Sequence, residues 1–230
     1  MAYDIWGSWS SSVGPNAPLD DSCAASGAGS AASGVKAWTA AGFPANKARN
    51  FNLSMRGDRV DEEYVQIALG VASYGHSFHV DRANAFSSSG TMSMYAAFDK
   101  SQQPAGYTAS GKEEPQASGL DQCGQPTAGG GVSGDFDFVG MINDGYLNGD
   151  GWPSDGIDYH VDNCSKTPYV YNNTTQVMIA YDDMDSFKLK GQFINAQGLK
   201  GFAMWHSVGD SNDILIDSIS KSMGIEQICG

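Results

Sequence analysis

YDDMDSFKLKGQFINAQGLKGFAMW, residues 181–205, decides the fold. It reads as the end of a strand, a helix and a second strand. Gln176 to Tyr181 is a short apolar run with β-branched residues. Asp185 and Ser186 can cap a helix whose buried side is Phe187, Leu189, Phe193 and Ile194. Gly198 can end that helix in the left-handed conformation. Gly201 to Trp205 is then a continuous apolar run, too short for a helix and typical of a strand covered on both faces. A parallel α/β unit follows, and its second strand delivers Trp205 at its carboxyl end, where α/β folds place their sites.

Upstream, Met1 to Trp6 reads as a buried strand, although strands seldom begin at a first residue because the free ammonium resists burial. Residues 7–30 are polar, rich in Gly, Ser, Pro and Ala, and read as a long loop. A helix is expected from about Ala31 to Ala41, with Val35 and Trp38 on one face, stopped by Gly42 and Pro44. Lys47 to Gln66 differs in composition, with Lys47, Arg49, Arg56, Arg59 and four acidic residues. It reads as an inserted piece: a retained intron translated in frame (48–66), or a surface loop with one helical turn. Ile67 to Ser73 is a second buried strand. From about Ser77 to Cys164, aromatic residues sit among Gly, Ser and Asn, like short strands joined by turns. A last helix is expected over Asn212 to Met223, burying Leu215, Ile216, Ile219 and Met223.

The 230 residues suit one large domain or two small ones, and 41% hydrophobic content is enough for a sizeable core. About half of the 29 glycines lie between Ser87 and Gly156, which fits a loop-rich or β-rich segment. A formal net charge of −13 argues against nucleic acid and anionic membrane surfaces, which want basic patches. It is compatible with a neutral polysaccharide, and an acidic surface also serves solubility. The four cysteines, Cys23, Cys123, Cys164 and Cys229, show no zinc spacing. An even count with sequons at Asn172 and Asn173 suits an oxidising, extracellular setting. Met1 to Trp6 lacks the basic start and apolar core of a signal peptide. A secreted composition without an export signal suggests an incomplete chain.

Three motifs in order carry a resemblance to a known family. Met1-Ala2-Tyr3-Asp4, Leu69 to Gly75 (LGVASYG) and the 181–205 stretch resemble the sixth, seventh and last strand units of glycoside hydrolase family 18, the chitinases. Thr167-Pro168-Tyr169-Val170 upstream of YDD is most similar to the fungal variant. The likeness covers most of this chain but only the C-terminal part of the family's domain. It implies an α/β fold: a partial (β/α)8 TIM barrel in residues 1–78 and 166–230, with a β-rich insertion at 79–165 forming one wall of a cleft. Three of eight strands cannot close a barrel, so open edges and exposed apolar faces should remain.

The resemblance implies hydrolysis of β-1,4-linked N-acetylglucosamine polymers. In that chemistry a Glu protonates the glycosidic oxygen and the substrate's own N-acetyl oxygen attacks the anomeric carbon. Tyr3 and Asp4 match the positions that hold the acetamide, with Met1 opening the same motif at the substrate. A phenol can donate to the acetamide oxygen, and a carboxylate can accept from its N–H. Trp205 matches the Trp that floors the sugar subsite, its indole stacking on a pyranose face. Trp9 matches a Trp of the aglycone side; Trp6 does something similar or only shields the barrel. Tyr74 and His76 stand where the family often has Tyr-Gly-Arg. A His can still donate to a sugar hydroxyl, without a guanidinium's fork. Asp182 and Asp183 match a structural pair at the positive end of the last helix. The resemblance places Cys123 and Cys164 together in the insertion as a disulfide, with Cys23 and Cys229 as a second candidate pair. It implies no cofactor and no metal, and chitin or chitooligosaccharides as partners.

The residues also depart from the family. Its DxxDxDxE run, which carries the acid, does not occur in these 230 residues. Asp155 to Asp162 has its look, but His160 stands where the middle Asp belongs and Asp162 where the acid belongs. An Asp in place of a Glu would retract the proton by about an ångström, enough to impair catalysis. Asp121, Asp135 and Asp137 have no motif behind them. The expectation is therefore a chitinase-type chain without appreciable turnover alone, its acid supplied from upstream. The alternative is a non-catalytic chitin-binding remnant that uses Trp9, Trp205 and Tyr74.

Overall fold

The computed structural model of the chain describes residues 1–24, 28–43, 67–120, 123–127 and 130–225. The stretch read as an intron or surface loop lies outside the described residues, as does Cys229. Helix α1 is Ala31–Ala40, and strands β1 (Ala68–Ala72) and β2 (Tyr74–His79) follow. Next come α2 (Arg82–Ala85), β3 (Tyr107–Thr108), β4 (Gly111–Lys112), β5 (Gly119–Leu120) and β6 (Pro126–Thr127). Then come β7 (Asp135–Asp137), α3 (Phe138–Asn143), β8 (Ile157–Asp162), β9 (Thr167–Asn172) and β10 (Val177–Ala180). The chain closes with α4 (Met184–Gln197), β11 (Gly201–Trp205) and α5 (Ile214–Met223).

Three sheets organise these elements among the described residues, the smallest an antiparallel pair of β5 and β6. β1 and β11 form a parallel pair, with Leu69 opposite Phe202 and Val71 opposite Met204. The larger sheet has seven strands in the order β4-β3-β7-β2-β10-β9-β8 and is antiparallel except between β3 and β7. The run Gln176–Tyr181 therefore does not form a parallel unit with β11. β10 pairs antiparallel with β2 and β9 instead. A four-residue apolar run is compatible with either sheet, because its pattern does not specify its strand partners. Along β9, Tyr169 and Tyr171 face one core cluster while Val170 faces another, the period-two alternation of a sheet covered on both sides.

Helix α4 forms as its sequence predicts, but one turn's chemistry differs. Its N-cap is Asp183, whose carboxylate accepts from the Ser186 N–H while the Ser186 hydroxyl accepts from the Asp183 N–H. This capping box outcompetes the expected Asp185 cap because it satisfies two orphan donors at once. Gly198 ends the helix at φ 62°, as expected. The buried side is Ser186, Phe187, Lys190, Gly191 and Ile194, with Leu189 and Phe193 half-buried. Lys190 was not foreseen there; its ammonium pairs with Asp182 at 2.5 Å, both side chains nearly inaccessible. Helix α5 buries Leu215 and Ile219, with Ile216 and Met223 half-buried.

The parallel pair differs from expectation in coverage. β11 alternates between half-buried and exposed positions instead of being enclosed on both faces. No described strand pairs with its outer edge. Met1 to Trp6 is not a buried strand either. It meets β1 through one backbone hydrogen bond, Ala2 N–H to Gly70 C=O at 3.3 Å, and Met1 is 83% exposed. Asp4, at φ 60°, interrupts the extended run, and the terminal residue stays in solvent. In α1, Val35 is buried but Trp38 is exposed and lies edge-on to Phe43.

The disulfide also departs from expectation. Cys23 bonds Cys164, which excludes both Cys123–Cys164 and Cys23–Cys229. It ties the N-terminal loop to the turn after β8, across 141 residues. Cys123 is exposed and takes no part in that bridge. Among the described residues, no helix is long and apolar enough to cross a membrane.

Candidate functional site

A cleft of about 360 Å³ opens where the carboxyl ends of β1 and β11 meet β2 and β7, two interior strands of the larger sheet. Its walls include Asp4, Trp9, Tyr74, His76, Asp135, Asp137, Trp205 and His206. Backbone hydrogen bonds fix this junction. The Ser73 N–H donates to the Trp205 carbonyl at 2.9 Å, and the Phe138 N–H donates to the Ser73 carbonyl at 2.8 Å. The Ser73 hydroxyl donates to the His206 carbonyl at 2.6 Å and accepts from the His206 N–H at 2.9 Å. The Trp205–His206 peptide is cis.

β2 carries Tyr74 and His76 on one face, and Gly75 lets it pass close to β10. A Cβ at Gly75 would lie 2.3 Å from the Ala180 carbonyl oxygen and 2.6 Å from the Tyr181 Cβ. Antiparallel register sets His76 directly opposite Asp135, and Tyr74 opposite Asp137. On β7 the sequence Asp-Phe-Asp alternates, so both carboxylates share one face while Phe136 enters the core. Asp135 lies 2.8 Å from His76 Nδ1, and Asp137 lies 3.3 Å from His206 Nε2. The other oxygen of Asp137 accepts from the Ala109 N–H at 2.7 Å.

Asp4 is drawn into the same cluster. Its N–H donates to Asn16 Oδ1 at 3.0 Å, and Asn16 Nδ2 donates to the Tyr74 carbonyl at 2.9 Å. The Tyr74 hydroxyl donates to Asp4 Oδ1 at 2.5 Å, and His76 Nε2 lies 3.2 Å from the same oxygen. Burial, reinforced by the Asp4 hydrogen bond and charge, pushes the Tyr74 phenol far upward, so it stays a donor. Burial pushes the Asp135 carboxyl up, but the hydrogen bond and charge of His76 outweigh it and hold it below its usual range. The Trp9 and His76 rings meet edge-to-face, with centroids 5.1 Å apart. Trp205 is 59% exposed and Trp9 equally so. The cleft thus offers two open indole surfaces beside a network of carboxylates, a phenol and two imidazoles. Among the described residues, no group of three or more His, Cys, Asp or Glu is placed to hold a metal ion.

The model of Glycosyl hydrolases family 18 matches residues 1–210. This chain belongs to glycosyl hydrolase family 18. It is 42% identical to a chitinase-like effector of Moniliophthora roreri, over 98% of this chain and 50% of that protein. It is 40% identical to a chitinase-like effector of Moniliophthora perniciosa, over 99% of this chain and 46% of that protein. The chain thus spans about half the length of these curated relatives. Among solved structures, a chitinase from Rhizomucor miehei superposes with a TM-score of 0.69 at 25% identity, over 96% of this chain and 52% of that one. The α/β architecture is accordingly part of a TIM barrel, and the resemblance to the C-terminal part of the family's domain holds.

For this family 18 chain, the sequence placed Asp4, Trp9, Tyr74, His76 and Trp205 at the substrate, and the structure brings all five to one cleft. Tyr3 and Met1 are not among its lining, and Met1 lines a separate pocket between α1 and β1. The Tyr3 hydroxyl donates to Met1 Sδ at 2.9 Å, and the Tyr3 ring meets Tyr74 edge-on at 5.9 Å. Trp6 packs edge-on against Tyr95 and does not line the cleft. Asp158 and Asp162 lie on β8, at the far edge of the sheet. Asp162 is consumed by the Cys164 N–H and by the Ser165 N–H and hydroxyl. Asp182 and Asp183 are buried, bonded to Lys190, Ser186 and Tyr159. Sequence reasoning passed over Asp135, Asp137 and His206. The Asp-Phe-Asp alternation was the available signal, since period two puts both carboxylates on one face.

Proposed function

We propose that these residues supply the C-terminal side of a chitinase-type cleft that takes β-1,4-linked N-acetylglucosamine oligomers. The observation that carries this is the convergence of Asp4, Tyr74 and the exposed indoles of Trp9 and Trp205 on one cleft. An indole face suits the C–H face of a pyranose. Tyr3 and Asp4 would hold the N-acetyl group as it becomes the nucleophile of a substrate-assisted, retaining hydrolysis. Tyr74 and His76 would line the same subsite, with Met1 behind Tyr3, and Trp9 would extend it toward the aglycone. In this reading residues 1–78 and 166–230 are the barrel portion, and 79–165 is the wall beside it.

The general acid would come from a DxxDxDxE segment outside these 230 residues, so the chain alone binds without turning over. No carboxylate in the cleft stands apart from a holding role: Asp4 and Asp135 engage His76, and Asp137 engages His206. A second reading, carbohydrate binding without cleavage, draws support from the two relatives whose names are chitinase-like effector. The Cys23–Cys164 disulfide favours an extracellular setting for either reading, and the two Moniliophthora relatives favour a fungal-type chain.

Titration with N-acetylchitooligosaccharides, followed by tryptophan fluorescence and calorimetry, tests the binding. Saturable quenching is expected, and its absence at millimolar ligand sinks the assignment. Incubation of the same chain with a chromogenic chitooligosaccharide is expected to release no product. Turnover would place an acid inside these residues.

A further inference from the structure

Asp4, His76 and Asp135 form a carboxylate–imidazole–carboxylate chain across the seam between the N-terminal segment and the larger sheet. His76 is 5% exposed, so its ring cannot exchange these partners for water. An ionised carboxylate only accepts hydrogen bonds. Two nitrogen–carboxylate contacts on one ring therefore need two protons: both on the imidazole, or one on the ring and one on a carboxylate. A singly protonated ring between two ionised carboxylates would aim a lone pair at one of them. The other groups facing His76 do not supply the missing proton. The Tyr74 hydroxyl is already committed to Asp4, and Trp9 meets His76 through an edge-to-face ring contact.

Asp135 is itself braced from behind. Its N–H donates to Ser133 Oγ at 3.1 Å, and the Ser133 hydroxyl donates to Glu113 Oε1 at 2.5 Å. Glu113 Oε2 accepts from the N–H groups of Gly106, Ser133 and Gly134 at 2.8, 3.1 and 3.0 Å. A continuous path thus runs from Glu113 beside β4 through Ser133, Asp135 and His76 to Asp4. His76 stands where the resembled family often carries Arg. An Arg brings its charge unconditionally, whereas a His carries it only while a second proton is held.

We propose that Asp135 is a positioning residue for Asp4, acting through His76. It accepts the hydrogen bond from the Nδ1–H, so that a second proton is held between Nε2 and Asp4 Oδ1. Asp4 Oδ1 then takes hydrogen bonds from both Tyr74 and His76, and Oδ2 is left to the cleft. The consequence for ligand rests on the function proposed above; the proton count does not.

The test is the ¹⁵N spectrum of the imidazole in uniformly labelled chain, wild type against Asp135→Asn. The wild-type ring is expected to show a proton-bearing Nδ1 and a proton-bearing or proton-sharing Nε2 at neutral pH. Asp135→Asn, of the same shape but neutral, should leave one nitrogen bare while the thermal melt stays within a few degrees. Identical His76 ring shifts in the two proteins overturn the proposal. If Asp135→Asn does not fold, Ser133→Ala, which removes the brace, carries the same readout and should broaden or shift the His76 signals. In the binding assay, Asp135→Asn should weaken chitooligosaccharide affinity roughly tenfold, the size of one charge-assisted hydrogen bond. In a His76→Arg background it should change affinity less than threefold. A wild type that binds no oligosaccharide would defeat the proposed function and leave the ring shifts to decide this one.

Discussion

The seven-stranded sheet and the parallel pair β1–β11 are built from similar apolar runs, yet they end in opposite states. In the larger sheet β9 and β10 are enclosed on both faces, and Tyr169, Tyr171, Phe78 and Met178 are fully buried. In the parallel pair, β11 has half-exposed faces and an unpaired outer edge, and it ends at an exposed Trp. Strand count alone does not decide this: β1 also has a single strand neighbour, yet Leu69 to Ala72 are buried, so what sets β11 apart is that its faces and outer edge are left open. Stability should therefore concentrate in the larger sheet and the helices packed near it, and ligand recognition at the end of the parallel pair.

Alkaline titration should show the largest effect. Burial pushes the phenols of Tyr169 and Tyr181 well above their usual value, raises those of Tyr74 and Tyr159, and takes Tyr146 up to about 12. A raised folded value means that stability is fully present below the unfolded value, about 10, and is lost as pH rises through the folded one. The chain should thus unfold cooperatively between about pH 10 and 12, with most phenolate absorbance appearing in that single step. Gradual ionisation of these tyrosines in a chain that keeps its near-ultraviolet dichroism would show the sheet to be open.

Two substitutions probe the same closed region more locally. Lys190→Ala leaves the Asp182 carboxylate buried with only the Ser186 hydroxyl as partner. Breaking a buried pair from one side costs about 3–5 kcal/mol in urea unfolding, and Asp182→Asn combined with Lys190→Met should recover part of it. Loss of the Cys23–Cys164 bridge, in Cys23→Ser with Cys164→Ser, should lower stability by about 2–4 kcal/mol. That loss should release the N-terminal loop more than the sheet, which hydrogen exchange can separate.

The site was more legible in the sequence than the topology. Tyr74 and Trp205 stand at strand ends and Asp4 and Trp9 in the N-terminal loop beside them, and each was carried by a short motif that does not depend on topology. Helix α4 was legible because Gly198 and the apolar spacing act locally. The partner of Val177–Ala180 was not, because a short apolar run does not say which sheet will enclose it. Cys23–Cys164 was missed for the same reason: four cysteines admit three pairings, and only the fold chooses. Asp135 escaped because its meaning depends on cross-strand register with His76, which local sequence does not encode.

The smallest stability effect, and the sharpest contrast, belongs to Trp205→Ala. Trp205 ends β11, is 59% exposed, and among the described residues has the His206 ring as its one aromatic neighbour. An exposed side chain away from the core should change unfolding free energy by no more than about 0.5 kcal/mol. Removing an aromatic anchor from a binding site, in contrast, typically costs about 2 kcal/mol or more of affinity, beyond tenfold. Oligosaccharide titration and urea unfolding of one variant therefore read the two regions separately. Unchanged stability with lost binding would place Trp205 wholly on the recognition side. Lost stability with intact binding would make the indole a packing residue that holds β11 against β1, and the parallel pair would then be core in the same sense as the sheet beside it.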